Sequence, residues 1–138
     1  MSPDPGPPLV VDSSALVALL ADDGPAGSWV ADAVAGATLF APQLVSFEAA
    51  NILRRQMVSG HLSRSEAALA HADLIVLPLD LWPYAPLAER VWELRENLTS
   101  YDASYVALAE LLEAALVTLD VRLANAPGPR CRIQAFTP

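Results

Sequence analysis

Four carboxylates occupy positions where an acid is not needed to keep the chain in solution. Asp12 directly follows the apolar run Leu9-Val10-Val11, and Asp120 follows Ala115-Leu116-Val117-Thr118-Leu119. Glu48 stands four residues from both Leu44 and Ile52, so on a helix it shares a face with apolar side chains. Asp102 falls in the first turn of a helical segment, with Val106 and Ala109 on the same face. Brought together in a partly dehydrated cleft, these acids would repel one another strongly. A divalent cation among their oxygens would make the cluster tolerable. Carboxylates are the hard ligands that magnesium or manganese takes, and magnesium keeps several of its waters.

Taken singly, each acid also has an ordinary structural role. Asp12 can cap the helix that follows it. Asp102 can be the acid of a Thr-x-x-Asp cap, stabilising a helix N-terminus by about 0.3–1 kcal/mol. Glu48 fits a solvated helix position, and Asp120 can begin a turn. Asp80 also follows an apolar run, Ile75 to Leu79, and spacing alone does not separate it from Asp120.

The elements that must position these groups are legible from patterning. Leu9-Val10-Val11 reads as a buried parallel strand. Residues 13–21 have helical spacing, with Ser13 or Ser14 available as a cap, and residues 26–35 form a second helix. Thr38 to Ala41 is a second strand. Pro42 suits the first position of a longer helix running to about Ser59, with Gly60 as its stop. Ser63-Arg64-Ser65-Glu66 opens the next helix as a capping box. Ile75-Val76-Leu77 is a third strand candidate, residues 83–97 are helical, and residues 99–113 are helical. Residues 115–119 form a fourth strand, and residues 132–136 offer a last one. Short strands alternating with helices imply one α/β domain with a mainly parallel sheet. Residues 1–8, with four prolines, read as a flexible leader, and residues 9–138 as the domain. In such sheets ligands bind beyond the carboxyl ends of the strands, where Asp12 and Asp120 fall.

Composition narrows the chemistry further. The chain has 138 residues, 54% of them hydrophobic and 17% charged, which suits one folded domain and excludes a disordered chain. Sixteen acids against eight bases give a formal charge of −8, so bulk attraction to nucleic acid or anionic membrane is not expected. All eight bases are arginine. Without lysine, P-loop phosphate binding and Schiff-base catalysis are excluded. Cys131 is the only cysteine, so no intramolecular disulfide forms, and His61 and His71 leave little for a zinc site. No secretory signal or membrane span is evident, and a reduced cytoplasmic location is the expectation.

In order and spacing, four blocks resemble the PIN-domain ribonucleases, and among them the VapC toxins of bacterial toxin–antitoxin modules. The blocks are Val10-Val11-Asp12-Ser13-Ser14-Ala15-Leu16, Glu48-Ala49-Ala50-Asn51-Ile52-Leu53, Tyr101-Asp102-Ala103-Ser104-Tyr105-Val106-Ala107-Leu108-Ala109 and Leu116-Val117-Thr118-Leu119-Asp120-Val121-Arg122-Leu123-Ala124. The resemblance implies a three-layer α/β/α domain and a magnesium-dependent endoribonuclease, with manganese as the alternative ion. It places Asp12 and Asp102 on the metal, and Glu48 and Asp120 as the acids that complete the site. Ser13 and Thr118 match positions where a small hydroxyl residue orients a carboxylate or a water. Asp80 lies outside the family's acidic set. Some relatives carry a further acid just after the fourth, where this chain has Val121 and Arg122, which counts against a second stable metal site. The resemblance also implies a cognate antitoxin and a homodimer.

Arg54, Arg55 and Arg64 lie around the helix carrying Glu48 and are candidates for RNA phosphate contacts. Trp29, Trp82 and Trp92 fit packing better than base stacking. Receiver-type phosphoacceptors pair their aspartate with a lysine that is missing here. Haloacid-dehalogenase-type phosphatases need an aspartate where Ser14 stands, and no G-x-S-x-G nucleophile elbow exists for a serine hydrolase. The remaining alternative is a non-catalytic PIN-like module whose acids anchor an arginine-rich protein partner. Cleavage of RNA by antitoxin-free protein separates the two.

Overall fold

The computed structural model describes residues 5–138. Five strands, β1 (Pro8–Val11), β2 (Thr38–Pro42), β3 (Leu79–Trp82), β4 (Ala115–Thr118) and β5 (Ile133–Ala135), form one sheet in the order β3-β2-β1-β4-β5. Every pairing is parallel. The helices are α1 (Ser13–Ala21), α2 (Pro25–Val34), α3 (Leu44–Val58), α4 (Arg64–Val76), α5 (Ala88–Glu93), α6 (Ser100–Leu111) and α7 (Val121–Asn125), with a short 3-10 turn at Ala85–Leu87.

Side chains alternate across each strand, and both faces of the sheet are covered. Leu9, Val11, Ala115 and Val117 face one way, packing with Ala15 and Ala18 of α1 and Val30 and Val34 of α2. Val10 and Leu116 face the other way, into a larger cluster with Val45, Ala49 and Leu53 of α3, Ala70 of α4, Val91 of α5 and Val106 of α6. The α/β/α layering inferred from the sequence is therefore present.

Several local expectations need correction. Residues 75–77 do not form a strand. The helix opened by the Ser63 capping box continues through Val76, and β3 begins at Leu79. Ala67, Ala70 and Leu74 set the buried stripe of α4, which turns Ile75 and Val76 outward, and Pro78 prevents further helix. Asp80 is thus inside an edge strand, paired in register with Phe40. Pro42 is the last residue of β2 and not the start of α3, whose N-cap is Gln43. The helix expected over 83–97 is broken into the 3-10 turn and α5. Of the leader expected over 1–8, residues 1–4 lie outside the described residues. Gly6 and Pro7 already accept hydrogen bonds from Thr38, and Pro8 belongs to β1.

Strand order reverses at β1. The chain moves outward through β2 and β3, then returns to place β4 on the other side of β1. The carboxyl ends of β1 and β4 therefore flank a topological switch point, where open α/β sheets form their ligand crevice.

Candidate active site

Asp12 is the residue after β1 and is buried, with 7% of its surface exposed. Its Oδ1 accepts hydrogen bonds from the Ser14 hydroxyl at 2.7 Å and the Ala15 backbone N–H at 2.9 Å, which makes it the N-cap of α1. The Thr118 hydroxyl, at the end of β4, donates to its Oδ2. Thr118 Oγ1 in turn accepts from the Asp120 N–H at 2.9 Å, and Ser14 Oγ accepts from the Leu119 N–H at 3.0 Å. Two hydroxyls thus lock the carboxylate of Asp12 to the loop that carries Asp120. A helix cap and a positioned carboxylate are here the same residue.

The other acids arrive on helices or helix entrances. Glu48 lies within α3, and its Oε1 accepts a hydrogen bond from the Tyr105 hydroxyl of α6. Asp102 sits in the first turn of α6, where its N–H donates to the N-cap Thr99 at 3.1 Å. Asp120 caps α7 by accepting from the Arg122 N–H at 2.9 Å, and the Arg122 guanidinium approaches it at 3.4 Å. Thr99, Asp102, Asp120 and Arg122 line an open groove of about 270 Å³.

The acids feel one another. Burial is the main cause raising Asp12 above the usual carboxylate range. Its three hydrogen bonds oppose that rise, and the charge on Asp102 adds to it. Glu48 is raised by burial and then by Asp102 and Asp12, against the hydrogen bond from Tyr105. Asp102 is raised by burial and by Asp120, with Arg122 partly compensating. The phenol of Tyr105 is pushed far up, first by burial and then by Glu48, so it stays a neutral donor. Four carboxylates therefore form one repulsive cluster, with Arg122 as the cation whose charge partly compensates it.

Among the described residues, no three His, Cys, Asp or Glu side chains are close enough to enclose an ion by themselves. The donor set consists of hard carboxylate oxygens, with Asp12 buried and Glu48, Asp102 and Asp120 partly exposed. Such a set fits a hydrated divalent cation, which keeps several waters and needs few protein ligands, and does not fit a dehydrated cage.

The sequence-derived site residues separate on inspection. Asp12, Glu48, Asp102, Asp120 and Thr118 converge. It is Ser14, and not Ser13, that hydrogen-bonds to Asp12; Ser13 instead neighbours Glu48 and Tyr105. Tyr105 carried no role in the sequence reading, although it lies one helical turn after Asp102 and so on the same side of α6. Of the three arginines, Arg55 lines a groove of about 220 Å³ that also reaches Ser14 and Leu119, with His61 beside it. Arg54 and Arg64 are exposed outside that groove. A larger cavity of about 560 Å³ opens among Glu110, Glu113, Ala115, Arg130 and Arg132, at the opposite end of β4 from the acids. Size alone does not mark the chemistry here.

A PIN domain model matches residues 9–129, and the chain belongs to that family. Within it, the chain belongs to the VapC ribonucleases. It is 42% identical over 125 residues to Ribonuclease VapC9 of Mycobacterium tuberculosis, covering 91% of this chain and 95% of that one. It is also 40% identical over 126 residues to Ribonuclease VapC1 of the same organism, covering 91% and 95%. Among solved structures, PAE2754 from Pyrobaculum aerophilum superposes with a TM-score of 0.69 at 28% identity, over 92% of this chain and 83% of that one. VapBC2 from Rickettsia felis, bound to a DNA fragment from its promoter, superposes with a TM-score of 0.67 at 14% identity, over 94% and 99%. The last supports the fold only.

Proposed function

We propose that this chain is a divalent-metal-dependent endoribonuclease toxin that hydrolyses RNA phosphodiester bonds, with residues 9–138 acting as one PIN-like domain. The observation that carries the reading is the convergence of four acids on the β1/β4 switch point, in a chain of the VapC family. Asp12 and Asp102 are the residues that would hold magnesium, or manganese in its place. When bound, the cation supplies positive charge against the phosphate and lowers the pKa of water.

The protein's own groups do the rest. Glu48, whose burial raises its proton affinity, accepts the proton of the attacking water. Asp120 orients that water. Tyr105 fixes one oxygen of Glu48, with Ser13 beside the same carboxylate, and so sets how it faces the water. Ser14 and Thr118 hold Asp12 in one rotamer, so its geometry is set before substrate arrives. Water adds to phosphorus, the ester P–O bond breaks, and the leaving oxygen takes a proton from solvent, to which Glu48 then returns the one it accepted. Arg55 is placed to contact a phosphate in the adjoining groove, and Arg122 to contact one at the rim.

A cognate antitoxin, a homodimer and a cytoplasmic location complete the reading. Among the described residues, no helix is long and apolar enough to cross a membrane. An arginine-bearing antitoxin segment would compete with the cation for the same carboxylates. The deciding experiment incubates antitoxin-free protein with RNA, with and without magnesium or manganese. Cleavage that requires the ion, and that is lost in a folded Asp102→Asn variant, is expected. Robust cleavage in excess chelator would overturn the metal mechanism, and light scattering checks the dimer.

A further inference from the structure

Three large aromatic side chains near the site are left in solvent. Phe47 is 81% exposed, Tyr101 64% and Tyr84 57%. Phe47 directly precedes Glu48, and Tyr101 directly precedes Asp102. With Trp82, Pro42 and Leu87 they wall a cavity of about 360 Å³ between the start of α3 and the start of α6. The lining is mostly apolar, with the exposed Gln43 and Ser100 as polar groups at its edge. Nothing in the folding of the domain requires these rings to be exposed, since the core beneath them is already closed by Val45, Leu87 and Val106.

We propose that this cavity receives an unpaired nucleobase of the RNA strand, next to the scissile phosphate. The inference rests on the ribonuclease reading above and adds to it the group that recognises the substrate. Charge favours this occupant. The chain carries −8 and no lysine, so phosphate attraction is a weak source of affinity, and the acid cluster itself repels RNA. Stacking of a base on an aromatic ring is insensitive to that repulsion, and a site of flat rings with a few edge polar groups suits it. Because Phe47 and Tyr101 are the chain neighbours of Glu48 and Asp102, a base held between them lies one residue of helix backbone away from two of the acids, within reach of the next nucleotide's phosphate. Gln43 and Ser100 then face the base edge, where hydrogen bonds give sequence preference.

The test uses the full chain and a short single-stranded oligoribonucleotide selected by cleavage from a random-sequence pool. A series with one abasic ribose at each position around the cut is compared for wild type and for the Phe47→Ala/Tyr101→Ala double variant. Wild type is expected to show KM raised about tenfold at one position adjacent to the cut, with kcat moved less. The double variant should have lost that discrimination, and Tyr101→Phe should keep it. Equal sensitivity to the abasic series in wild type and a double variant shown to fold by circular dichroism overturns the pocket while leaving the ribonuclease reading intact. Absence of metal-dependent cleavage by wild type overturns both. A double variant that turns a dimer into a monomer in light scattering, with unchanged abasic sensitivity, assigns the rings to a second copy and also overturns the proposal.

Discussion

At the scale of single residues, the site is organised by hydroxyls that hold acids in place. Thr118 is fully buried, donates to Asp12 and accepts from the Asp120 N–H. Thr118→Val keeps the shape but strands both partners. It should lower stability by about 1–3 kcal/mol in urea unfolding and depress RNA cleavage, while Thr118→Ser restores much of both. The acids themselves act in the opposite direction. Asp102 is raised by burial and by Asp120, so its ionised form costs folding energy at neutral pH. Asp102→Asn should therefore abolish cleavage and yet melt about 2–5 °C higher in metal-free buffer, a gain kept small by its half-exposed position. Magnesium should raise the melting temperature of wild type and leave that variant unmoved. A variant that melts lower than wild type without metal would contradict the repulsive cluster. The four acids stand out in the sequence because each sits beside an apolar pattern, but Asp80 does so too, and only the order of the four PIN-like blocks sets it apart from them. Tyr105 does not stand out, because a tyrosine in a helix facing the core looks like packing until its partner across the fold is known. Ser14 was missed for a similar reason. Two adjacent serines after Asp12 are equivalent in sequence, and only the turn into α1 decides which hydroxyl faces the carboxylate.

At the scale of elements, the same distinction between local and distant information applies. The capping box at Ser63 and the Thr99 cap of α6 are encoded within four residues and appear as expected, with Glu66 and Ser63 bonded in both directions. The start of β3 is not local. Ile75 and Val76 have the composition of a strand, but they are 71% and 75% exposed because the buried stripe of α4 sets their direction. Only packing against α1 and α3 fixes that stripe. A second tertiary device ties α5, α6 and the C-terminal loop together. Arg90 donates to Glu110 at 2.7 Å and to the Gly128 carbonyl at 2.9 Å, while Glu110 also accepts from the Arg130 N–H at 2.7 Å. Burial alone would raise Glu110, but these bonds and the arginine charges more than offset it and hold the carboxyl below its ordinary value of 4.5. A depressed carboxyl contributes stability above the unfolded value and loses it as pH falls through the folded one. Wild type should thus lose an increment of about 1 kcal/mol below pH 4.5 that Glu110→Gln lacks at every pH. Parallel urea titrations from pH 7 to pH 3 check this, and curves that stay equally spaced would dismiss the strap.

At the scale of the whole molecule, the acid excess and the missing lysine decide how a polyanionic substrate is held. A formal charge of −8 with eight arginines leaves few cations for phosphate, and some of those are already engaged. Arg90 is bound to Glu110, and Arg95 lies over the Trp92 ring at 4.8 Å. Arg55 and Arg122 are the arginines that line grooves reaching the acids or their hydroxyls. If about two phosphates are neutralised, the logarithm of affinity for single-stranded RNA falls with the logarithm of salt at a slope near −1.4, since each contact contributes about −0.7. Fluorescence anisotropy with the Asp102→Asn variant, at fixed magnesium and between 50 and 200 mM salt, measures the slope without cleavage. Arg55→Ala should reduce it by about 0.7, and Phe47→Ala should weaken binding without changing it. A slope of about −4 or steeper would mean that binding is driven by many phosphate contacts. Such a result would require a basic surface that this fold does not display on one protomer, and would shift the search for it to a dimer or a bound partner. A shallow slope instead makes the charge balance part of the enzyme's selectivity. With such a slope, RNA that cannot offer an unpaired base would gain little from electrostatics, and cleavage should favour exposed loops over folded RNA, which paired and unpaired substrates of one sequence compare directly.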